Sequence, residues 1–500
     1  MSTSLRSARL VGIGAIAGIA LSLGLTAVAE RSSSDITRLP VDEIREFSEI
    51  FGTIKSFYVE PVKDEKLFAD AINGMLTGLD PHSAYLDENA FGDLQANTQG
   101  QFGGLGIEIG TEDGFVKVIS PIEDTPASRA GIKAGDLIVK INDTPTKGLQ
   151  LDQAVKMMRG KPKSRVTLTL QRKDVAQPIV VNLVRDIIRV KSVRSKELQP
   201  GVGYFRVTAF QEHTVESLAD QIRQMGKRGP LKSIILDLRN DPGGLLNGAI
   251  GVSALFLKPG MEVVSTNGRA PDSKRSYRAA PEDYLTSRSI DPLANLPAWT
   301  KTAKMVVLVN AGSASASEIV AGALQDHKRA TIIGTQTFGK GSVQTILPIS
   351  ITGRNTAIKL TTARYYTPNG RSIQARGIIP DHIVEESADA EINALRVREA
   401  DLQRHLSNDR DTTPEVKSNI PTHIDQQRLR NYKPVELGVP EQDFQLQQAL
   451  NFLHDRPIVK MPPLPAGAKP AANAADKAKN APAANGKASE KAGDKGAAKP

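Results

Sequence analysis

The 500-residue chain contains no cysteine. That removes thiol nucleophiles, thiolate metal sites, disulfides and lipid anchoring through cysteine, but it fixes no compartment. The seven histidines, at positions 82, 213, 327, 382, 405, 423 and 454, form no H-x-x-x-H pair, so neither a metal site nor a cofactor is expected. There is no G-x-S-x-G nucleophile elbow. Aromatic residues make up 4% of the chain, with one Trp. No basic stripe is interleaved with aromatics, as a single-strand binder would need. The net charge of +9 is partly local: Ala466 to Pro500 holds seven Lys against two Asp and one Glu, or +4. A solvated basic tail accounts for that charge, and no nucleic-acid partner is expected.

What is present begins with the N-terminus. Arg6 and Arg9 precede the apolar stretch Leu10 to Val28, which ends in Ala27-Val28-Ala29. A positive region, an apolar run and an A-x-A site describe a secretory signal over residues 1–29. The run approaches the ~20 residues that cross a bilayer, so an uncleaved membrane anchor is the alternative. Either way the bulk is expected outside the cytoplasm, in a bacterial periplasm or envelope.

Domains usually hold about 100–200 residues, so a chain of this length implies several. Ile44, Phe47, Ile50, Phe51 and Ile54 follow three- and four-residue steps, predicting helices between Val41 and Gly78. Near Gly100 the pattern changes to short strands punctuated by glycine, continuing to about Arg185. From Gly203 strands and helices alternate, which predicts an α+β or α/β core. Glu391 to Leu453 reads as helix-rich again. The Ala/Lys/Pro/Gly tail from residue 463 is too poor in large apolar groups to fold alone.

Three segments could carry chemistry. Asn310 to Glu318 places small residues and three serines between an apolar strand and an apolar helix. A hydroxyl there would meet unpaired N–H groups and the helix dipole; a plain helix cap explains the same residues. Gly334 to Lys340 nearly matches a phosphate-binding loop, but Gly341 stands where Ser or Thr is required and a strand follows, so that reading fails. A desolvated Lys340 could instead act as a base, at a cost of roughly 4 kcal/mol to bring its pKa from ~10.4 towards 7–8. Taken alone, the segment is better explained by an ordinary surface lysine in a glycine turn. Asp237 to Leu245 is a strand, a Pro-Gly-Gly turn and a helix start; it suits an oxyanion site or a simple connection.

Together these segments resemble the carboxyl-terminal processing proteases, serine peptidases with a Ser/Lys dyad and an inserted PDZ domain. The resemblance covers about residues 40–385. It rests on Leu79 to Leu86, Phe102 to Ile107, Asp237 to Leu245, Gly312 to Glu318, Phe338 to Gln344 and Tyr365 to Gln374.

The resemblance implies Ser315 as nucleophile, Lys340 as general base and Gln344 as its support. Ser313 and Ser317 become structural. The N–H of Ala316 and that of Gly243 or Gly244 become the oxyanion donors. In the PDZ domain, the N–H groups of Leu105, Gly106 and Ile107 would cradle a peptide carboxylate, with the Leu151–Met158 helix lining the pocket. Arg159 would couple that domain to the protease.

The implied organisation is an N-terminal helical region (30–98), a PDZ domain of barrel or sandwich type (99–185), a mixed-sheet peptidase core (186–387), a C-terminal helical region (388–462) and a disordered tail (463–500). The segment at about Arg269 to Thr300 looks like an insertion over the core. Expected partners are protein C-termini, a second copy through the terminal helical regions, and an adaptor. The competing reading is a catalytically inactive PDZ scaffold that binds envelope proteins.

Overall fold

The computed structural model describes residues 39–173, 175–286, 290–349, 353–415, 417–418 and 435–462. The expected signal or anchor and the basic tail lie outside these residues. No helix among the described residues is long and apolar enough to cross a membrane.

Helix α1 (Val41–Phe57) and the start of α2 (Asp64–Thr77) belong to one compact unit, which ends at Gly74. Phe68 stacks on Phe51 at 4.9 Å between ring centroids and also meets Phe47. Ile44, Ile50, Ile54 and Phe57 on α1 are exposed.

From Met75 onward the chain forms a second unit. Strand β1 (Ala84–Leu86) is followed by α3 (Glu88–Gln99). Asp87 caps α3 by accepting the Ala90 N–H at 2.8 Å, and left-handed Gly100 ends it. Next come β2 (Gln101–Gly104), β3 (Ile107–Glu112), β4 (Phe115–Pro121), β5 (Leu137–Ile141) and β6 (Thr144–Pro145). Helix α4 (Leu151–Met158) leads into β7 (Arg165–Gln171), β8 (Ile179–Val184) and β9 (Asp186–Arg189).

The order β3-β4-β5-β7-β8 makes an antiparallel sheet with its own core, including Val116, Ile138, Leu168 and Leu170. β7 alternates buried and partly exposed residues, the pattern of a half-buried strand. Strands β2 and β9 pair separately, forming the double connection between this domain and the rest.

The remaining elements are β10 (Val193–Gln199), β11 (Val202–Val207), α5 (Thr214–Gly226), β12 (Ser233–Asp237), α6 (Leu246–Phe256), β13 (Glu262–Gly268), β14 (Arg275–Arg278), β15 (Lys304–Val309) and α7 (Ala316–Asp326). They continue with β16 (Thr331–Gly334), the hairpin β17 (Ser342–Ile349) and β18 (Thr356–Tyr366), then β19 (His382–Ile383) and α8 (Phe444–Leu453). The central sheet runs β10-β11-β12-β15-β16-β19, parallel from β11 onward.

Its inner strands β12 and β15 are buried on both faces, which is why they read as continuous apolar runs. Ile234, Leu236, Val307 and Val309 face the layer of α5, α6 and α7; Ile235, Val306 and Leu308 face α8. A second, antiparallel sheet joins β1, β18, β13 and β14, with β17 on β18.

One expectation changes. The segment from 391 to 453 is mostly irregular among its described residues: a helical turn at Ala390–Ala394, a 3-10 turn at Glu399–Asp401, and α8. The chain between them is held by side-chain bonds to the core, such as Asn408 Nδ2 to the carbonyls of Gln374 (2.7 Å) and Ser372 (3.2 Å). These bonds replace helical ones. The described part of the 269–300 segment packs onto the core, with Tyr284 buried and Leu293, Leu296 and Trp299 against the main core cluster.

A buried ion triad fastens α8 to the end of β12. Arg239 donates to Asp237 and Asp443, with Nη2 at 2.6 Å from each, and Nη1 reaches Gln445 at 3.0 Å. Tyr204 also donates to Asp237 at 2.7 Å. Removing the cation would leave two carboxylates buried without it. Arg239→Ala is therefore expected to destabilise the unit built on the central sheet by about 3–5 kcal/mol, read as a lowered denaturant midpoint. An unchanged midpoint would show that the triad is not stabilising.

Candidate active site

Two turns emerge at the same end of the parallel sheet, after β15 and after β16. The first carries the three serines. Ser313 Oγ donates to Leu238 O at 2.7 Å and accepts the Asn310 N–H at 3.0 Å; Ser317 Oγ donates to Asp241 O at 2.9 Å. Both hold the loop against the Pro-Gly-Gly turn. Ser315 is different. It sits at the N-cap of α7 with φ +52° and ψ −111°, a conformation costing on the order of 1–3 kcal/mol outside glycine. The N–H of Ala316, first in the helix, has no intrahelical acceptor.

Gly243 lies directly against this turn. A Cβ there would stand 2.8 Å from Ala316 N and 2.9 Å from Ser315 Cβ, so no side chain fits. Its own N–H donates to Asp241 Oδ1 at 2.9 Å, which commits that amide within the turn. Gly244 instead meets the Phe210 carbonyl, 2.1 Å from where a Cβ would be. Burial pushes the Asp241 carboxyl up to about 8, and its Oδ2 has no hydrogen-bond partner among the described residues.

The second turn carries Lys340 and is no open surface loop. A Cβ on Gly341 would lie 2.3 Å from Gln374 N, and Gly339 has φ +97°. Burial, and after it the like charge of Lys359, lower the Lys340 pKa to about 8 against Glu399, Glu318 and Asp80, which oppose the shift. At pH 7 roughly one such lysine in ten is then neutral.

Glu318 joins the two turns. Fully buried, it accepts from Thr337 Oγ1 at 2.5 Å, Gly339 N at 2.7 Å, Lys340 N at 2.9 Å and Ser315 N at 2.8 Å. Burial raises its pKa to about 7 against these four donors, each of which favours the charged form. One carboxylate thus fixes the backbone of both Ser315 and Lys340. Among the described residues no hydrogen bond joins the two side chains, and none joins Gln344 to Lys340. Gln344 Nε2 donates to Ser342 Oγ at 2.9 Å and Thr361 Oγ1 at 3.1 Å. Thr361 Oγ1 in turn donates to Asp80 at 3.1 Å, and Asp80 also accepts both the N–H and the hydroxyl of Ser83.

The sequence reading treated Glu318 only as a helix-capping residue. Its spacing three residues after Ser315 is the signal that could have found it. Asp80 and Ser83 lay in a quoted motif without a role. Glu399 had no local signal.

In the inserted domain, β3 is an edge strand, open for strand addition. Leu105 is buried, with its carbonyl accepting the Ala127 N–H at 3.0 Å. Gly106 has φ +76°, and a Cβ there would strike Thr125. Ile107 opens β3. Ala154 and Met158 of α4 enter the domain core. Arg159, just past α4, lies 4.5 Å from the Phe102 ring centroid and pairs with Asp93 of α3 at 3.1 Å. It therefore bridges the inserted domain and α3.

The sequence profile of peptidase family S41 matches residues 201–384, that of the PDZ domain 117–172, and that of the activating protease CtpB N-terminal domain 21–90. A carboxy-terminal-processing protease of Bartonella bacilliformis is 44% identical over 396 residues, 78% of this chain and 87% of that protein. The chain belongs to the carboxy-terminal processing proteases of peptidase family S41.

A second member, carboxy-terminal processing protease CtpA of Bacillus subtilis, is 34% identical across 76% of this chain and 77% of its own length. Among solved structures, the photosystem II D1 C-terminal processing protease is 29% identical, covering 67% of this chain and 86% of that one. Its TM-score is 0.38, too low to bear on the fold. A serine-type peptidase with a PDZ domain is what the family provides.

The electrostatics of the lysine turn generate a prediction for this family member. Reaction of its active serine with a fluorophosphonate should rise with pH through about 8. Lys359→Met removes a like charge, so the ammonium becomes easier to keep and the limb should move up by about 0.5–1 pH unit. A limb that stays in place, or moves down, would contradict the assignment of Lys359.

Proposed function

We propose that this peptidase cleaves proteins near their C-termini by a Ser315–Lys340 dyad, after the PDZ domain has captured the terminal carboxylate. The observation that carries the reading is the shared Glu318 carboxylate, whose Oε2 accepts the amides of both residues. Neutral Lys340 takes the Ser315 proton as Oγ attacks the scissile carbonyl. The Ala316 N–H and an N–H of the Gly243-Gly244 turn meet the oxyanion. Collapse expels the amine, which receives the proton from Lys340. Water then attacks the acyl-serine with Lys340 again as base, releasing the second product. Gln344, in the Asp80–Thr361 network, keeps the hairpin beside the lysine in register.

The amides of Leu105, Gly106 and Ile107 receive the carboxylate, and the substrate adds as a strand to β3. Arg159 relays occupancy of that groove to α3. The N-terminal sequence supports export, and the exposed apolar face of α1 supports self-association.

Ser315→Ala and Lys340→Ala should each abolish cleavage of a peptide that the native enzyme processes, while peptide binding to the PDZ domain persists. Near-native turnover by either variant would overturn the dyad. Amidating the C-terminus of that peptide should slow cleavage at least about tenfold, the scale of one lost charge-assisted anchor. Equal rates for acid and amide would remove the PDZ domain from substrate capture.

A further inference from the structure

The chain beyond the peptidase-profile match contributes a buried acid to the lysine pocket. Glu399 is fully buried, and its N–H donates to the Phe338 carbonyl at 2.9 Å, two residues before Lys340. Its carboxylate accepts His82 Nε2 at 2.8 Å and Gln374 Nε2 at 2.9 Å. The same Gln374 uses its Oε1 to accept the Gly341 N–H at 3.0 Å, one residue after Lys340. The lysine is therefore bracketed on both sides by bonds that lead to Glu399. His82 comes from 317 residues earlier, on the turn whose Asp80 and Ser83 anchor Thr361.

We propose that Glu399 is a positioning residue of the catalytic centre, holding the lysine turn through Phe338 and Gln374 and closed from the other side by His82. The proposal rests on the dyad reading above. A carboxylate in this place has two consequences. It makes the lysine turn depend on a segment outside the peptidase core, and it stabilises the ammonium form of Lys340. The second effect agrees with the sign of its influence on that lysine. A buried acid kept here restrains the base, offsetting the like charge of Lys359.

The charged groups facing Lys340 are Lys359 from β18, Glu318 from α7, Asp80 from the turn before β1, and Glu399 itself. Those facing Glu399 are Lys340, His82 and His405; His405 is bound to Glu415. Neutralising Glu399 thus subtracts one negative charge from a fixed set.

The test uses the full chain and a fluorophosphonate probe, with the labelling rate followed against pH. Glu399→Gln should move the acid limb down by about 0.5–1 pH unit, opposite in sign to Lys359→Met. A limb at its native position, in a protein of native thermal stability, would overturn the proposal. Should Glu399→Gln fail to fold, Gln374→Met decides instead: it keeps the charge but cuts both bonds on the Gly341 side of the bracket, to the Gly341 N–H and to Glu399. It should lower the limiting labelling rate at least tenfold with little movement of the limb, and a native rate would overturn the proposal. Lys340→Ala serves as the third arm. If it labels normally, the dyad reading itself fails; if it is dead while Glu399→Gln is unchanged, only the present inference fails.

Discussion

A single buried carboxylate ties together the turns that carry Ser315 and Lys340. Glu318 has no solvent contact, and burial alone would keep it neutral. Four donors surround it, three of them backbone amides from the two turns that carry the serine and the lysine. Backbone amides cannot rotate away as side chains do, so satisfying the charge fixes the chain. The parallel sheet delivers both turns to the same edge, and Glu318 sets their separation. The strained Ser315 backbone and the close-packed Gly341 persist because this bond set over-determines them.

Around that centre the fold recruits distant segments. Arg239 pulls α8 onto the sheet end just before the Pro-Gly-Gly turn. Asp80 and Ser83 dock β1 on β18, and Glu399 closes the lysine turn from the far end of the chain. The stalk of β2 and β9 leaves the PDZ sheet to pack its own core while Arg159 keeps it in touch with α3. Stability and catalytic geometry therefore draw on the same buried polar contacts, a high-stakes arrangement in a low-dielectric interior.

How much of this was legible in the sequence follows from the range of each interaction. The alternation of strands and helices expected from Gly203 comes from local periodicity, and β12, β15 and α7 follow it. Ser315 and Lys340 were marked by small-residue and glycine contexts, though either had a plain structural alternative on its own. Gly341 looked like turn flexibility and is a steric need, visible only once Gln374 is seen 2.3 Å from its missing Cβ. The partnerships of Glu318 with Lys340 and of His82 with Glu399 are long-range, and no spacing rule encodes them. The segment after 391 misled because its apolar residues are helix-compatible, whereas its side-chain bonds to the core decide its path.

The central claim is that Ser315, and neither neighbouring serine, is the nucleophile. Peptide mapping by mass spectrometry after fluorophosphonate treatment tests it most directly. The account predicts one phosphonyl adduct, on Ser315, in the native protein and none in Lys340→Ala at neutral pH. An adduct on Ser313 or Ser317, or equal modification of Ser315 without the lysine, would contradict it.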